Sequence, residues 1–311
     1  MKISRFTPIT AEDYPRFQPF FSRQHYPLCV YSLPSIIVWH SDLYQPYGAV
    51  IDDDTLAVGI EFTAVYEPYR HLILPVSPTR EQPPAALAEI ARRLGFSAYW
   101  FVPRDYIDRA GEDRVAEHFS ITEETGLSDY VYRTEDLADL KGNRYAKKRN
   151  LINQFRKSHV ARGRVRVAPI TPTDRDACLR FLDKWCEIRR CDSSPDEDLT
   201  CERRAARNSL TLLGEIDMRG LLLRIDGEVC AFGIASTLTA DMGVLHFEKA
   251  LPDVKGLYQY FDSQCAGHLF SGLAYINKES DMDQPGLARA KASYHPVMRV
   301  PAFRLTLRDE G

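Results

Sequence analysis

The sequence lacks the features that mark secreted and membrane-spanning proteins. No apolar run approaches the ~18 residues that a membrane span needs. The opening residues, MKISRFTPITAEDY, contain no apolar segment of a secretory signal. The seven cysteines are odd in number and irregularly spaced, which does not indicate a disulfide framework. We therefore expect a cytoplasmic protein with reduced thiols and no transmembrane segment.

A metal-binding motif is also missing. Cys186 and Cys191 form a C-x4-C pair, with Cys178 and Cys201 nearby. A structural zinc site would need a second close pair, or histidines at ligand spacing, and the sequence has neither. Buried helical thiols are the ordinary explanation for such cysteines, so we expect no metal.

Length and composition indicate an ordinary two-domain protein. The chain has 311 residues, of which 44% are hydrophobic and 27% charged, and its net charge is −3. At ~150 residues per domain, two domains are expected. We place an N-terminal domain at 1–135 and a C-terminal domain at 136–311. Because the net charge is small, any strongly basic segment is a local feature.

One such segment contains no acidic residue. Between Lys141 and Arg166 there are ten lysines and arginines. Tyr145, Ile152 and Phe155 recur at helical spacing, which predicts an amphipathic helix over 141–159 with a positive polar face. This helix is either a solvated connection between domains or an anion-binding helix at the domain junction. Its candidate ligand-binding residues are Arg144, Lys148, Arg149 and Asn153.

The first half of the chain predicts a short series of elements. A helix and a short strand precede a hairpin over 49–75, whose turn is Asp52–Asp54. A helix bounded by Pro84 and Gly95 follows. The helix and strand before the hairpin are Thr10–Phe21 and Ser35–Trp39, and the elements after Gly95 are a strand at Ser97–Val102 and a helix at Arg104–Phe119.

The second half predicts the same order after a connecting region. A hairpin turns at Asp226–Gly227, a dipeptide that tolerates positive φ. The elements are strands Leu127–Arg133 and Arg164–Ala168, a short helix from Thr134, helices Thr173–Arg190 and Asp196–Leu213, strands Gly220–Ile225, Val229–Thr237 and Met242–Lys249, helix Lys255–Leu269, strand Ala274–Asn277, helix Pro285–Ala292 and strand Val297–Leu307. This order resembles that of GNAT-type acyltransferase domains. We therefore predict an α/β (α+β) fold of two tandem GNAT-like domains, with mixed antiparallel and parallel sheets flanked by helices.

A strand in the second half carries candidate chemistry. Alternation predicts that Val244, His246 and Glu248 share one face, with His246 and Glu248 ~7 Å apart. They would then flank one ligand. The alternative is a half-buried, hydrogen-bonded histidine beside a surface glutamate.

The turn after this strand is a candidate anion site. Lys255 and Gly256 stand at the start of a helix, whose free N–H groups attract anions, and Tyr258 follows. GNAT enzymes hold the pyrophosphate of acyl-CoA at the corresponding turn with a longer glycine-rich motif, of which only Gly256 is present. The alternative is a plain helix-start glycine.

Polar residues also follow the next strand. Asn277, Glu279 and Asp281 lie just beyond its end, where α/β folds commonly bind ligands. A short helix then carries Arg289 and Lys291, and these acids and bases either bind substrate or pair as a structural network. The fold predicts one shared cavity for Glu248, Lys255, Asn277, Lys291 and Tyr294.

Three stretches together resemble a bacterial protein family grouped with the C-terminal domain of phosphatidylglycerol lysyltransferase. They are LKGNRYAKKRNLINQF, LHFEKALPDVKGLYQYF and YINKESDMDQPGLARAKASYHP. Lys278 and Ala288 stand where this family commonly has arginine. The resemblance implies two tandem GNAT-like domains and kinship with enzymes that move an aminoacyl group from aminoacyl-tRNA to an amine or hydroxyl. Because the membrane-spanning half of the lipid-modifying enzymes is missing, a lipid substrate would require peripheral membrane contact; otherwise the substrate is soluble.

The functional hypothesis is an acyl- or aminoacyltransferase that uses aminoacyl-tRNA or acyl-CoA as donor. Glu248 would take the proton of the attacking group. Tyr294 would donate to the leaving group or oxyanion. Cations including Lys148, Arg149, Lys255 and Lys291 would hold phosphate or carboxylate. The alternative is a non-catalytic protein that binds a nucleotide, an RNA end or a lipid headgroup.

Overall fold

The structure, a computed structural model, describes residues 2–63, 69–189 and 197–308. Within these ranges the strands form two mixed sheets of seven strands each, and helices cover their faces. The predicted fold class, an α/β architecture of two mixed sheets flanked by helices, is confirmed. Residues 64–68 of the predicted first-half sheet and Asp196 lie outside the described ranges.

The first sheet is built around the predicted acidic hairpin. Its strands are β1 (Thr7–Pro8), β2 (Tyr44–Ile51), β3 (Thr55–Phe62), β4 (Tyr69–Leu72), β5 (Ala98–Pro103), β6 (Phe119–Glu123) and β14 (Ala302–Leu307), in the order β1-β2-β3-β4-β5-β14-β6. Asp52 and Asp53 have φ of +48° and +66°. Aspartate tolerates this left-handed conformation better than most residues, so the short turn can join β2 to β3.

The second sheet is built around the hairpin at Asp226–Gly227. Its strands are β7 (Asp129–Arg133), β8 (Val165–Pro169), β9 (Arg219–Ile225), β10 (Glu228–Thr237), β11 (Met242–Ala250), β12 (Tyr275–Asn277) and β13 (Met298–Val300), in the order β13-β7-β12-β11-β10-β9-β8. Asp226 and Gly227 have φ of +51° and +90°, as the predicted tight turn requires.

The helices start and stop largely where proline and glycine predict. They are α1 (Tyr14–Phe17), α2 (Leu33–Val38), α3 (Pro84–Leu94), α4 (Arg104–Ala110), α5 (Glu112–Ala116), α6 (Thr134–Asp139), α7 (Ala146–Ser158), α8 (Arg175–Arg189), α9 (Glu197–Leu212), α10 (Leu257–Leu269) and α11 (Pro285–Ala292). Gly95 ends α3 with φ of +74°, a conformation that glycine adopts without steric cost.

Three predicted elements are wrong. Ser35–Trp39 is not a strand but part of α2, because Ser32 caps the helix and Pro34 stands in its first turn. The helix predicted over Arg104–Phe119 breaks at Gly111, and β6 begins at Phe119. The closing strand Val297–Leu307 is two strands, β13 and β14, which belong to different sheets.

Both halves repeat one order of elements, as predicted. Each has an antiparallel hairpin, a third strand, a helix and a strand parallel to the third, namely β4 with β5 and β11 with β12. The domain boundary at 135 stays a prediction, but sheet membership does not follow it. β7 precedes that position and belongs to the second sheet, whereas β14 follows it and belongs to the first.

Two hydrophobic clusters bury the two faces of the second sheet. The larger one spans both halves and includes Phe232 and Phe247 of the second sheet, and the Phe247 ring lies 6.4 Å from that of Trp39. The smaller one holds Ile152 and Phe155 of α7 against α10. The basic helix therefore lies on the sheet face opposite the junction of the halves, and its predicted place at that junction is wrong.

Candidate active site at the divergence of two parallel strands

The candidate site lies where β11 and β12 separate. These parallel strands pair at only three positions, the last being Val244 with Asn277. β12 ends there, whereas β11 continues to Ala250. The side chains that follow the last pair on each strand therefore border a wedge between the two strands. Ligands of α/β sheets commonly bind at such strand ends.

A β-bulge in β11 changes which side chains share a face. Ala235 of β10 pairs with Leu245 and Ile234 pairs with Phe247, so His246 is an extra residue. As a result Val244 and Phe247 lie in the same hydrophobic cluster, which strict alternation would forbid. The prediction that His246 and Glu248 share a face is therefore wrong, and the two side chains belong to different polar clusters.

The first polar cluster surrounds Lys278, which follows β12. Its Nζ donates to Glu248 Oε2 at 3.1 Å and to Asp262 Oδ1 of α10 at 2.7 Å. The Glu248 and Lys278 side chains are only 13% and 15% exposed. The other carboxylate oxygen of Glu248, Oε1, is buried with no hydrogen-bond partner among the described residues. One oxygen of this carboxylate is thus held in place, while the other is buried without a hydrogen-bond partner among the described residues.

Burial and charge set the protonation of this cluster. Burial, together with the nearby Asp262 carboxylate, raises the pKa of Glu248 to about 7 even though Lys278 opposes the shift. Burial lowers the pKa of Lys278, but the carboxylates of Asp262 and Glu248 outweigh it and raise that pKa well above its usual value. The raised pKa brings the ionisation of Glu248 closer to neutral pH beside a charged lysine, a change that suits a general base.

Tyr294 and Lys148 cover this cluster. The Tyr294 hydroxyl hydrogen-bonds Asp262, and burial raises the pKa of Tyr294 well above its usual value. Lys148 Nζ lies 3.3 Å from the centre of the Tyr294 ring and donates to Ser293 Oγ at 2.8 Å. Burial lowers the pKa of Lys148 to about 8. The tyrosine hydroxyl is thus engaged by Asp262, while its ring packs under a lysine.

The second polar cluster lies around Glu279. His246 bonds Glu279 Oε1 through Nδ1 at 3.1 Å and Ser236 Oγ through Nε2 at 2.7 Å. Asn277 Oδ1 accepts from the Glu279 backbone N–H at 2.6 Å. The Lys291 ammonium donates to the carbonyl oxygens of Lys278 and Glu279 at 2.6 and 3.1 Å. Lys291 therefore holds the chain segment after β12 in place.

Asn277 is tied to a buried carboxylate. Its Nδ2 donates to Asp129 Oδ2 at 2.7 Å and to the Pro27 carbonyl at 2.8 Å. The same Asp129 oxygen accepts from the Cys29 N–H at 2.7 Å. Burial raises the pKa of Asp129 to about 6, although these hydrogen bonds oppose the shift. Asn277 thus connects the first half of the chain to the end of β12.

The remaining predicted residues lie elsewhere. Lys255 lines a separate surface groove of about 300 Å³ with residues of α7. Gly256, at φ +81°, packs so closely on α7 that a Cβ would lie 2.2 Å from the Leu151 carbonyl oxygen. The Tyr258 hydroxyl accepts from Trp185 at 3.3 Å. The five residues predicted to share one cavity are therefore divided: Glu248 and Tyr294 belong to the Lys278 cluster, Asn277 and Lys291 to the Glu279 cluster, and Lys255 to the surface groove.

The basic helix uses much of its charge internally. Arg144 pairs with Asp136 at 2.9 Å. Arg149 donates to the Leu140 and Gly142 carbonyl oxygens at 2.6 and 2.5 Å. Asn153 is exposed on the surface of α7. Three of the four predicted ligand-binding residues of this helix thus have partners within the protein, namely Arg144, Lys148 and Arg149.

Sequence reasoning missed Asp262, Ser236 and the central role of Lys278. The serine and aspartate carry no motif, because they reach the site from other elements.

In the described ranges, no three histidine, cysteine, aspartate or glutamate side chains are grouped as metal ligands. Cys178 and Cys186 are buried on α8, whereas Cys191 and the Cys201 side chain lie outside the described part. Among the described helices, none has the length and apolarity to cross a membrane.

Comparison with known families identifies the class of protein. Residues 72–306 match the family described as phosphatidylglycerol lysyltransferase, C-terminal. This match covers most of the chain, and the chain belongs to that family, as the sequence resemblance predicted. The sequence has no significant match among curated proteins.

Solved structures share the fold of this chain. A conserved protein of unknown function from Bacteroides thetaiotaomicron VPI-5482 is 28% identical, with a TM-score of 0.85 over 98% of this chain and 100% of that one. The C-terminal domain of a putative lysylphosphatidylglycerol synthetase from Agrobacterium fabrum is 13% identical, with a TM-score of 0.63 over 95% of this chain and 92% of that one. The second likeness concerns the fold alone.

Proposed function

We propose that this protein transfers an aminoacyl group from an ester donor to an amine or hydroxyl acceptor at the Lys278 cluster. Family membership supports a transferase of this general type. The observation that carries the proposal is the Glu248 carboxylate, which is buried, fixed at one oxygen by Lys278 and unpartnered at the other. Purely structural ion pairs seldom leave a buried oxygen unpaired, because an unmade hydrogen bond is costly.

In this mechanism Glu248 acts as the general base. Its free Oε1 takes the proton from the acceptor as the acceptor nitrogen or oxygen attacks the ester carbonyl. The donor alcohol leaves and takes the proton back from Glu248, so the carboxylate is regenerated. Lys278 lies within hydrogen-bonding distance of Glu248 and supplies positive charge near the developing oxyanion. Tyr294 is bonded to Asp262, so in this scheme it positions the cluster rather than donating directly.

The geometry favours aminoacyl-tRNA over acyl-CoA as donor. The turn that would hold a CoA pyrophosphate is covered by α7, whose Leu151 carbonyl faces Gly256. Lys278 and its carboxylate partners also span the wedge between β11 and β12. An aminoacyl ester presents only its small acyl end to the site. With this donor the enzyme would act in the cytoplasm, and a lipid acceptor would require peripheral contact with a membrane.

The alternative function is a non-catalytic protein for an anionic ligand. It would draw on α7 and the groove beside Lys255, which also contains Gln154, Ser158 and His159. The internal pairing of Arg144 and Arg149 leaves fewer cations for that role. The Glu248 arrangement has no use in such a protein, and a variant of this residue therefore separates the two hypotheses.

The test is a transfer assay with Glu248→Gln. Radiolabelled lysyl-tRNA and a bulk mixture of aminoacyl-tRNAs are each incubated with phosphatidylglycerol vesicles or with a soluble amine. Loss of the base should lower the transfer rate by about 10²–10⁴-fold while tRNA retention on filters stays unchanged. The matched control is Glu89→Gln, an exposed glutamate on α3. If the wild-type protein binds tRNA but transfers nothing to either acceptor, or if Glu248→Gln retains full activity, the catalytic proposal is wrong.

A further inference from the structure

A chain of hydrogen bonds leads away from Glu279 to a different part of the molecule. His246 Nδ1 lies 3.1 Å from Glu279 Oε1, and His246 Nε2 lies 2.7 Å from Ser236 Oγ. Ser236 Oγ lies 2.8 Å from Ser32 Oγ, at the start of α2. The His246 side chain is fully buried, and both serines are at most 2% exposed. Four side chains from both halves of the protein therefore form one continuous relay, of which His246 and the two serines are buried and Glu279 is partly exposed.

The acid at one end fixes the direction of every proton in this relay. A carboxylate accepts hydrogen bonds, so a neutral His246 donates to Glu279 from Nδ1 and accepts at Nε2. Ser236 then donates to His246, and Ser32 donates to Ser236. The Ser35 N–H points to Ser32 Oγ at 3.4 Å. Carboxylate, imidazole and hydroxyl are arranged as in serine hydrolases, with one additional hydroxyl between the imidazole and the last serine.

The last serine borders a wide cavity. Ser32 is one of the residues that line a space of about 880 Å³ between the first half and the end of β10. Tyr14, Phe21 and Tyr31 give this cavity an aromatic wall. The volume is sufficient for a small ligand, and concave aromatic sites of this size commonly bind small molecules. The relay thus connects an activating acid to a hydroxyl at the wall of a ligand-sized space.

We propose that Ser32 is the nucleophile of a second centre, which cleaves small carboxylic esters bound in this cavity. Its Oγ attacks the ester carbonyl while its proton moves to Ser236 and the Ser236 proton moves to His246. The alcohol leaves with the proton that His246 returns through Ser236, and an acyl-serine ester remains. Water then attacks this ester, the proton follows the same path, and the acid and free Ser32 are released. This activity is separate from transfer at the Lys278 cluster.

The test is covalent labelling with a small fluorophosphonate, in which the Ser32 Oγ–P bond forms and fluoride leaves. Intact mass should show one adduct, and peptide mapping should place it on Ser32. Hydrolysis of p-nitrophenyl acetate should disappear with Ser32→Ala. Ser236→Ala and His246→Asn should each slow labelling at least tenfold. Ser22→Ala is the matched control, because Ser22 lines the same cavity and bonds only the Pro19 carbonyl.

Two results would overturn the proposal. One is wild-type protein that acquires no adduct at Ser32. The other is a Ser32 adduct that forms as quickly in Ser236→Ala and His246→Asn as in wild type, since the relay would then have no effect on the nucleophile. Site mapping on the wild-type protein needs no variant, so a variant that fails to fold does not prevent a decision. Circular dichroism of each variant separates loss of the relay from loss of the fold.

Discussion

The buried Glu248 carboxylate should make the stability of the protein depend on pH in a direction opposite to that of most acids. Its pKa rises from 4.5 to about 7 on folding, because burial and Asp262 disfavour the charged form. The folded protein therefore holds a proton on Glu248 that the unfolded chain has already lost between these values. The stability contributed by this proton is fully present below pH 4.5 and is lost as pH rises through about 7.

The magnitude follows from the size of this shift. At about 1.4 kcal/mol for each unit of pKa, a change from 4.5 to about 7 corresponds to about 3 kcal/mol. Glu248→Gln keeps the shape of the side chain and removes its titration. Relative to wild type, the variant should therefore gain about 2 to 3 kcal/mol in free energy of unfolding between pH 5 and pH 8. Lys278 keeps its bond to Asp262 in the variant, so the fold should persist.

The assay is urea unfolding of both proteins at pH 5, 6, 7 and 8, followed by circular dichroism. The quantity to plot is the difference in unfolding free energy between variant and wild type, since other titrating groups cancel. Glu89→Gln serves as control and should give a flat difference. A flat line for Glu248→Gln, or a slope of the opposite sign, would show that this carboxylate is not desolvated beside Asp262.

Three further predictions concern other parts of the fold. Gly256→Ala should lower the free energy of unfolding by about 2 kcal/mol or more, because Gly256 has a positive φ and lies close to the Leu151 carbonyl. The control Gly286→Ala in α11 should be neutral or slightly stabilising. Similar urea midpoints for the two variants would contradict this prediction. Arg149→Ala should cost about 1–3 kcal/mol by leaving the part-buried Leu140 carbonyl oxygen without its partner. Lys147→Ala should instead weaken heparin retention in a salt-dependent way, and the reverse pattern would refute this expectation. Burial lowers the pKa of His71 to about 3. The stability that neutral His71 contributes is therefore lost as pH falls from 6.5 towards 3. His71→Phe removes this titration and should shift the acid-unfolding midpoint to lower pH.

Local sequence signals predicted much of the fold. The hairpins at Asp52–Asp54 and Asp226–Gly227 and the helix between Pro84 and Gly95 are determined by a few neighbouring residues. The errors arose where distant parts of the chain decide the outcome. Nothing local distinguishes a strand over 297–307 from two strands joined at Pro301, because the change of sheet depends on which strand edges are free.

The site was predicted less completely for the same physical reason. The strand ends identified Glu248, Asn277 and the segment after it, because parallel strands bring their carboxyl ends together. A single inserted residue at His246 reversed the expected grouping, and a bulge of this kind has no fixed sequence signature. Asp262 and Ser236 enter through packing of α10 and β10 and cannot be found by spacing along the chain.

The placement of β14 has a consequence for how the protein is made in the cell. This strand, Ala302–Leu307, lies between β5 and β6, so the first sheet lacks an interior strand until residue 307 has left the ribosome, long after β5 and β6 have emerged. Until then two strand edges remain open and able to pair with other nascent chains. Early release or stalling before residue 302 should therefore yield an aggregating product rather than a folded N-terminal domain, and chaperone demand should last until residues 302–307 have emerged.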